Sequence, residues 1–278
     1  MKNGVVYAIL TSLVFSIMNA LVKAVSLTVP STEVAFFRSI IGTVIIYFIM
    51  KYNKVKFSTE GIPLLVVRGV LGALYLITYF YTISKIPLTD ASILVHLSPF
   101  FVIIFSGIFL KEKISRKSFY LLPIVFLGAL LLIKPFKYSY YSFEAIFGII
   151  SAMLSAAAGI SIRLLTKKHH TYEIIFYFLA TATLVSIPLM WNNFVVPTKQ
   201  EFFYLIIIGI VSLIGQVFLT KAFTHENAII VEVTRYIGIV FNAMWGFLFW
   251  REIPDMLTII GGILIVSACI ALSRQKGR

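Results

Sequence analysis

The sequence predicts an all-α polytopic membrane protein, with ten transmembrane helices arranged as two inverted five-helix repeats. Three observations carry this reading: a composition that cannot clothe a water-facing surface, recurrent apolar runs of spanning length, and an internal offset of 140 residues that superposes the two halves.

Of the 278 residues, 60% are hydrophobic and only 13% are charged, and the mean hydropathy is +0.98. Folded soluble proteins draw about a quarter of their residues from Asp, Glu, Lys and Arg. The solvent for most of this surface must therefore be lipid. A formal net charge of +13 raises the question of nucleic acid. The basic residues lie between apolar runs, however, and not along one solvated face, so no nucleic-acid partner is expected. The single cysteine, Cys269, excludes an intramolecular disulfide framework and reads as a small packing residue.

Apolar runs long enough to cross about 30 Å of hydrocarbon as helix are expected at 4–25, 33–51, 62–84, 88–110, 118–134, 144–166, 172–191, 201–223, 228–250 and 256–273. Pro30-Ser31-Thr32, the Lys51 to Lys56 segment and Ser115-Arg116-Lys117 punctuate them. Tyr138, Tyr140, Tyr141, Trp191 and Trp250 fall at run ends, where amphipathic rings favour the headgroup region. The breaks are too short to hold a soluble domain. The first run is longer than a signal-peptide core and lacks a small-residue cleavage site, so it is read as part of the mature protein.

Orientation follows from the basic residues of the loops. Starting the first helix in the cytoplasm puts Lys2, Lys51, Lys54, Lys56, Lys111, Lys113, Arg116, Lys117, Lys167, Lys168, Lys221, Arg274, Lys276 and Arg278 on that side. Only Lys85, Lys134, Lys137, Lys199 and Arg251 fall opposite. The bias predicts cytoplasmic termini in a plasma membrane of the bacterial inner-membrane type.

Residues 80–114 fall on 220–254 without a gap, bringing Lys111-Glu112 onto Arg251-Glu252 and Lys23 onto Arg163. The halves divide as 1–137 and 138–278. Each carries five crossings, an odd number, so two like halves must lie in opposite orientations. That arrangement is the inverted-repeat design of secondary transporters, with a site near the midplane.

Phe15-Ser16 with Asn19, Ala35-Phe36-Phe37-Arg38, Tyr81-Thr82-Ile83 leading to Ile86-Pro87-Leu88, Ala91-Ser92, Leu97-Ser98-Pro99-Phe100-Phe101 and Leu110-Lys111-Glu112 together resemble the EamA-type branch of the drug/metabolite transporter superfamily. The similarity is clearest over 15–133. The second half departs from it where Tyr236-Ile237-Gly238 replaces the Ser-Pro pattern. The resemblance implies a central cavity lined by helices 1, 3, 4, 6, 8 and 9 and alternating access. It leaves the substrate open.

Ionisable groups inside a span cost about 2.5–3.5 kcal/mol each at the helix centre, so their positions mark a pathway. Helix 1 carries a stripe of Ser12, Ser16, Asn19 and Lys23. Helix 6 answers with Ala152, Ala156, Gly159 and Arg163, where small residues equally suit close packing. Helix 3 aligns Arg68, Gly72, Tyr75, Tyr79 and Thr82, and helix 8 aligns Gly209, Ser212, Gln216 and Thr220. Helix 4 contributes Ser92, His96 and Pro99; helix 9 contributes Glu232, Arg235, Tyr236, Ile239, Asn242 and Gly246. Arg235 is too deep to reach water without strain, about 10 Å inside its run at 1.5 Å per residue. Glu232 and Arg235 are spaced to pair on one helix, either as a closed structural pair or as a pair that a substrate opens.

The expected substrate-binding residues are therefore Asn19, Arg68, Tyr75, Tyr79, His96, Arg163, Gln216, Glu232, Arg235 and Tyr236. Lys23, Arg38 and Asn242 are assigned structural or gating roles; Lys23 can snorkel, and Arg38 can cap carbonyls or pair with Glu33. His96 reads either as a hydrogen-bonded histidine of the helix packing or, since an ordinary histidine titrates near neutrality, as a seat for a coupling proton.

No phosphate-binding loop is present, His225-Glu226 lacks the second histidine of a zinc protease, and paired hydrolytic carboxylates are absent. No cofactor or metal is expected, and the protein is not read as an enzyme. The expected activity is secondary active or exchange transport of a small polar metabolite, amino-acid-like or an organic anion, since intramembrane cations outnumber anions. Membrane lipid is the other expected partner. A lipid flippase is the rival reading, and an intramembrane enzyme a weaker one. A flippase should turn its polar stripes toward lipid, whereas a metabolite carrier should enclose them.

Overall fold

In a hydrocarbon solvent a helix satisfies its own backbone polar groups within one segment. Every regular element among the described residues is helical. The computed structural model describes residues 3–109, 141–226 and 228–275, together with positions 123, 124, 127, 128 and 131. In chain order the helices are α1 (Asn3–Val25), α2 (Ser31–Tyr52), α3 (Ile62–Lys85), α4 (Leu88–Val95), α5 (Ser98–Phe109), α6 (Tyr141–Leu165), α7 (Thr171–Met190), α8 (Lys199–His225), α9 (Ala228–Thr234), α10 (Ile237–Trp250) and α11 (Met256–Gln275). Six of them, α1, α2, α3, α6, α7 and α8, are long and apolar enough to cross a membrane. The expected fifth span at 118–134, the Lys111-Glu112 pair and the side chain of Cys269 lie outside the described residues.

Local chemistry sets the helix ends. Gly61 adopts φ +73°, a left-handed conformation that glycine reaches without steric cost, and Pro63 follows in the first turn of α3. Thr198 caps α8 with a reciprocal box: its hydroxyl accepts the Glu201 N–H at 3.3 Å, and the Glu201 carboxylate accepts the Thr198 N–H at 2.7 Å. The outer surface is apolar, with Phe48, Val67, Leu184, Phe203, Val240, Phe249 and Ile263 exposed. The polar residues of the stripes point the other way.

Two runs expected to be continuous, 88–110 and 228–250, are each broken near one third of their length. In the first, α4 ends at Val95 and α5 begins at Ser98; Leu97 N–H bonds three residues back to Leu94 O at 3.1 Å, and Phe100 N–H to Leu97 O at 3.0 Å. Pro99 explains the interruption, because it has no N–H and its ring crowds the preceding turn. In the second, α9 ends at Thr234 and α10 begins at Ile237. Gly238 N–H bonds to Arg235 O at 2.8 Å and Ile239 N–H to Tyr236 O at 3.0 Å, again tightened to three-residue spacing. Gly238, a weak helix former, stands where the first half has Ser98.

Packing is reciprocal under the 140-residue offset. Helix α1 lies along α8, and its counterpart α6 lies along α3; α2 contacts α8 as α7 contacts α3; α1 meets α10 as α6 meets α5; α4 meets α10 as α9 meets α5. Helices α2 and α7 pack on each other. The largest buried apolar cluster draws on α1, α2, α3, α4, α6 and α8.

One junction between these elements is ionic. Arg251 takes φ +52° and turns the chain sharply after α10, so that Glu252 reaches back. Its Oε2 accepts the Leu88 N–H at the start of α4 at 2.8 Å, and its Oε1 pairs with Lys23 Nζ. Lys23 also donates to Ile86 O at 3.0 Å and lies 5.6 Å from the centroid of Trp250. Lys23 thus does more than snorkel: it ties α1, the α3–α4 turn and the segment after α10 into one knot. Glu252→Gln should lower folded stability by about 1.5–3 kcal/mol, the usual worth of a hydrogen bond to a charged group. The unfolding midpoint in detergent, compared with that of Glu60→Gln on an exposed loop, measures it; equal midpoints would show that the knot contributes nothing.

Candidate functional site

The helix breaks bring main-chain polar groups from both halves to one depth, and side chains of α1 and α3 close around them. His96, in the first break, spans the gap: its Nδ1 lies 2.6 Å from Ser92 O and its Nε2 lies 2.9 Å from Arg235 O in the second break. Ser12 of α1 also donates to Arg235 O, at 3.3 Å. Carbonyl oxygens only accept, so both imidazole contacts are hydrogen bonds only when both ring nitrogens carry protons. The Tyr236 ring sits 5.6 Å from the His96 ring.

A second chain of bonds crosses the same seam. Asn19 Nδ2 donates to Tyr79 Oη at 3.1 Å and to Asn242 Oδ1 at 3.2 Å. Asn242 Nδ2 donates to Ser92 Oγ at 3.0 Å and to Gly238 O at 2.8 Å. Trp245 Nε1 donates to Ser16 Oγ at 3.1 Å. These bonds join α1, α3 and α4 to α10. Tyr75 stacks on Tyr79 with ring centroids 5.8 Å apart.

Beside this seam Arg235 Nη1 donates to both oxygens of Glu232, at 2.9 and 3.1 Å, and Ser98 Oγ donates to Glu232 Oε2 at 2.7 Å. The pair is closed and its carboxylate is doubly held. Two small cavities meet here. One is walled by Asn19, Arg38, Tyr75, Tyr79, His96, Gln216, Arg235 and Asn242. The other is walled by Arg68, Tyr75, Gly159, Phe178, Gln216, Glu232 and Arg235. Tyr75, Gln216 and Arg235 belong to both walls. Each cavity has room for water-sized molecules, so the seam is closed in this conformation.

Of the residues expected to bind substrate, the structure brings Asn19, Arg68, Tyr75, Tyr79, His96, Gln216, Glu232 and Arg235 onto these walls. Asn19, Arg68, Tyr79, His96, Gln216 and Glu232 are all buried. Tyr236 is buried against His96 but lies outside both cavity linings. Arg163 is elsewhere: its Nη1 donates to Phe223 O at 2.6 Å and Thr224 O at 3.2 Å, near the C-terminal end of α8. A cation there complements the helix dipole and the last carbonyls. Lys23 does the same for Ile86 O beyond α3.

Arg38 and Asn242, assigned structural or gating roles, both line the first cavity. The expected Arg38–Glu33 pair does not form; Glu33 accepts the Val195 N–H at 3.0 Å. The residues missed by the sequence reading are Ser98, which holds Glu232, Phe178, which faces two arginines, and Glu252, which closes the ionic knot. The Ser-Pro motif and the Arg-Glu pair were visible as letters, but their partners are distant in sequence. Phe178 is one of 25 phenylalanines and carries no local mark.

At the loop end, Ser58 Oγ donates to Glu173 Oε2 at 2.8 Å and lies 3.2 Å from His169 Nδ1. These are the residue types of a hydrolytic triad. The serine proton, however, points to the carboxylate and the Ser58 N–H bonds to the same group at 2.6 Å, which is a loop clasp and not an activated nucleophile.

The family profile described as the EamA-like transporter family matches residues 2–134 and again residues 142–274. The chain is 62% identical to the "Pseudopaline exporter CntI" of Pseudomonas aeruginosa, over 99% of this chain and 98% of that protein. It is 25% identical to an "S-adenosylmethionine uptake transporter" of Rickettsia prowazekii, over 96% of this chain and 91% of that one. A solved crystal structure shares the fold at a TM-score of 0.69 and 17% identity, covering 99% of both chains. A multi-pass helical membrane protein, matched along both halves and across nearly its full length, this chain belongs to the EamA-like transporter family and is a transporter, not an enzyme.

Proposed function

We propose that this chain is a secondary active or exchange transporter that exports a small polar metabolite, amino-acid-like or an organic anion, from a bacterial cytoplasm by alternating access. The observation that carries the reading is the buried polar seam. Arginines, tyrosines, amides and a histidine from both halves converge on it inside an apolar shell, and ionisable groups buried in a span mark a pathway. The 62% identity to an exporter over nearly the whole chain supports export, and makes pseudopaline the first compound to test. Enclosure of the polar stripes favours a solute over a lipid: Asn19, Arg38, Arg68, Tyr79, His96, Gln216 and Asn242 are buried within the protein.

The mechanism rests on two antiparallel repeats, 1–137 and 138–278, with ten spans in all and both termini cytoplasmic. Reciprocal packing under the 140-residue offset and the double family match support that division. The closed seam is then one state of a cycle in which the halves rock apart, first toward one side and then toward the other. Asn19–Asn242 and His96–Arg235 O are among the bonds that must break, because they cross between halves.

His96 is the proposed seat of a coupling proton. Gaining a proton lets its ring donate to both carbonyls, which favours the closed seam; losing it leaves one contact without a donor.

Arg235→Ala should cut pseudopaline flux in proteoliposomes by about tenfold or more, since it removes a charge-assisted bond and strands Glu232. Wild-type flux in a folded variant would remove Arg235 from the path. His96→Gln keeps a donor and an acceptor but cannot titrate. If the histidine carries the proton, the pH dependence of flux seen in the wild type should be lost in this variant. Parallel pH profiles would exclude His96.

A further inference from the structure

The charge in the seam does not balance. Arg235 is satisfied by Glu232, but Arg38 and Arg68 bring two more guanidinium groups with no carboxylate paired to them among the described residues. Arg38 is 1% exposed and Arg68 4% exposed. For both side chains, Nε and Nη1 are buried and have no hydrogen-bond partner. The two stand against a single ring: the Arg38 guanidinium carbon lies 5.3 Å and that of Arg68 4.4 Å from the Phe178 centroid. Arg38 faces the cavity shared with Asn19 and His96, and Arg68 faces the cavity shared with Glu232.

An aromatic face offsets only part of the cost of burying a cation, and guanidinium N–H groups that reach no acceptor lose hydration without replacement. A merely structural arginine would be anchored to carbonyls, as Arg163 is to Phe223 O and Thr224 O. Planar, forked donors facing cavities fit one chemistry best, the carboxylate, which such a fork binds through two parallel bonds.

We propose that Arg38 and Arg68, set on either cavity against Phe178, bind two separate carboxylates of one substrate, so that the transported molecule carries at least two anionic groups. The inference rests on the transport reading and names the substrate class of that same site. Two carboxylates cancel the two uncompensated charges, and Glu232, which shares a cavity wall with Arg68, can receive an amine. A phosphate headgroup of a membrane lipid shares the anionic chemistry and is the alternative source to be separated.

The test uses the full-length protein in detergent, with binding followed by thermal shift and calorimetry. The probes are glycine, aspartate, glutamate and 2-aminoadipate, which add a second carboxylate at growing separation, and phosphatidylglycerol as the lipid source. At least one dicarboxylate should bind tenfold or more tightly than glycine. Arg38→Gln and Arg68→Gln should each bring that ratio close to one. Arg38→Met and Arg68→Met separate ligand from structure. Replacing an unpaired buried cation by an apolar chain of similar length should leave the ligand-free unfolding midpoint unchanged or raise it; a structural arginine would lower it. No dicarboxylate preference in the wild type, a preference that survives both glutamine variants, or arginine-dependent stabilisation by phosphatidylglycerol alone would each overturn the proposal. Flux of a compound without carboxylates, undiminished in the variants, would do so while leaving the transport reading intact. Lack of flux for every compound, with the binding preference present, would remove transport and keep the site.

Discussion

Backbone polar groups in a hydrocarbon layer must find partners within the protein, and the rest of this structure depends on that constraint. Continuous helices meet it without help. The two breaks, at His96–Leu97 and at Arg235–Tyr236, do not, and each can exist only where other protein groups supply the missing bonds. His96 and Ser12 supply them at Arg235 O, and Asn242 reaches Gly238 O. The breaks are therefore buried, they face each other, and side chains from both halves are drawn to one depth. A polar seam at the centre follows from the same requirement that makes the periphery helical.

Electrostatics then decides what the seam is for. Lys23 and Arg163 each have an acceptor close by, and each is explained by the group it touches: a carbonyl and a carboxylate for Lys23, terminal carbonyls for Arg163. Arg38 and Arg68 have a ring and a cavity instead. The contrast within one molecule is more informative than any of the charges alone, because it separates cations that serve the fold from cations that the fold carries at a cost.

The family relation bears on this distinction. A fold shared at 17% identity with a solved structure, and relatives named for export and for uptake of different compounds, mean that the helical frame is compatible with several cargoes and both directions. A relative at 62% identity over nearly the whole chain is near enough for its cargo to guide an experiment on this one.

Composition and hydropathy determined, without coordinates, that the protein is helical and lipid-solvated, because the supply of charged residues allows no other surface. The 140-residue offset was legible too, since hydropathy and the Lys/Arg-Glu pairs repeat along the chain, and the helix ends from α1 to α10 follow it. The polar stripes of helices 1, 3, 4, 8 and 9 could be read from helical spacing, and half of their members line the cavities. Spacing says which residues share a face, but not what stands opposite. The helix breaks were signalled only by Pro99 and Gly238, and a lone proline or glycine in a long apolar run is also compatible with a mere kink. Only the tertiary structure placed Arg163 on the carbonyls of α8, parted Glu33 from Arg38, set Phe178 against two arginines and brought Glu252 to Lys23. Each of those outcomes depends on distances between residues far apart in the chain, where hydrogen-bond reach and burial decide which partner wins, and no local pattern encodes them.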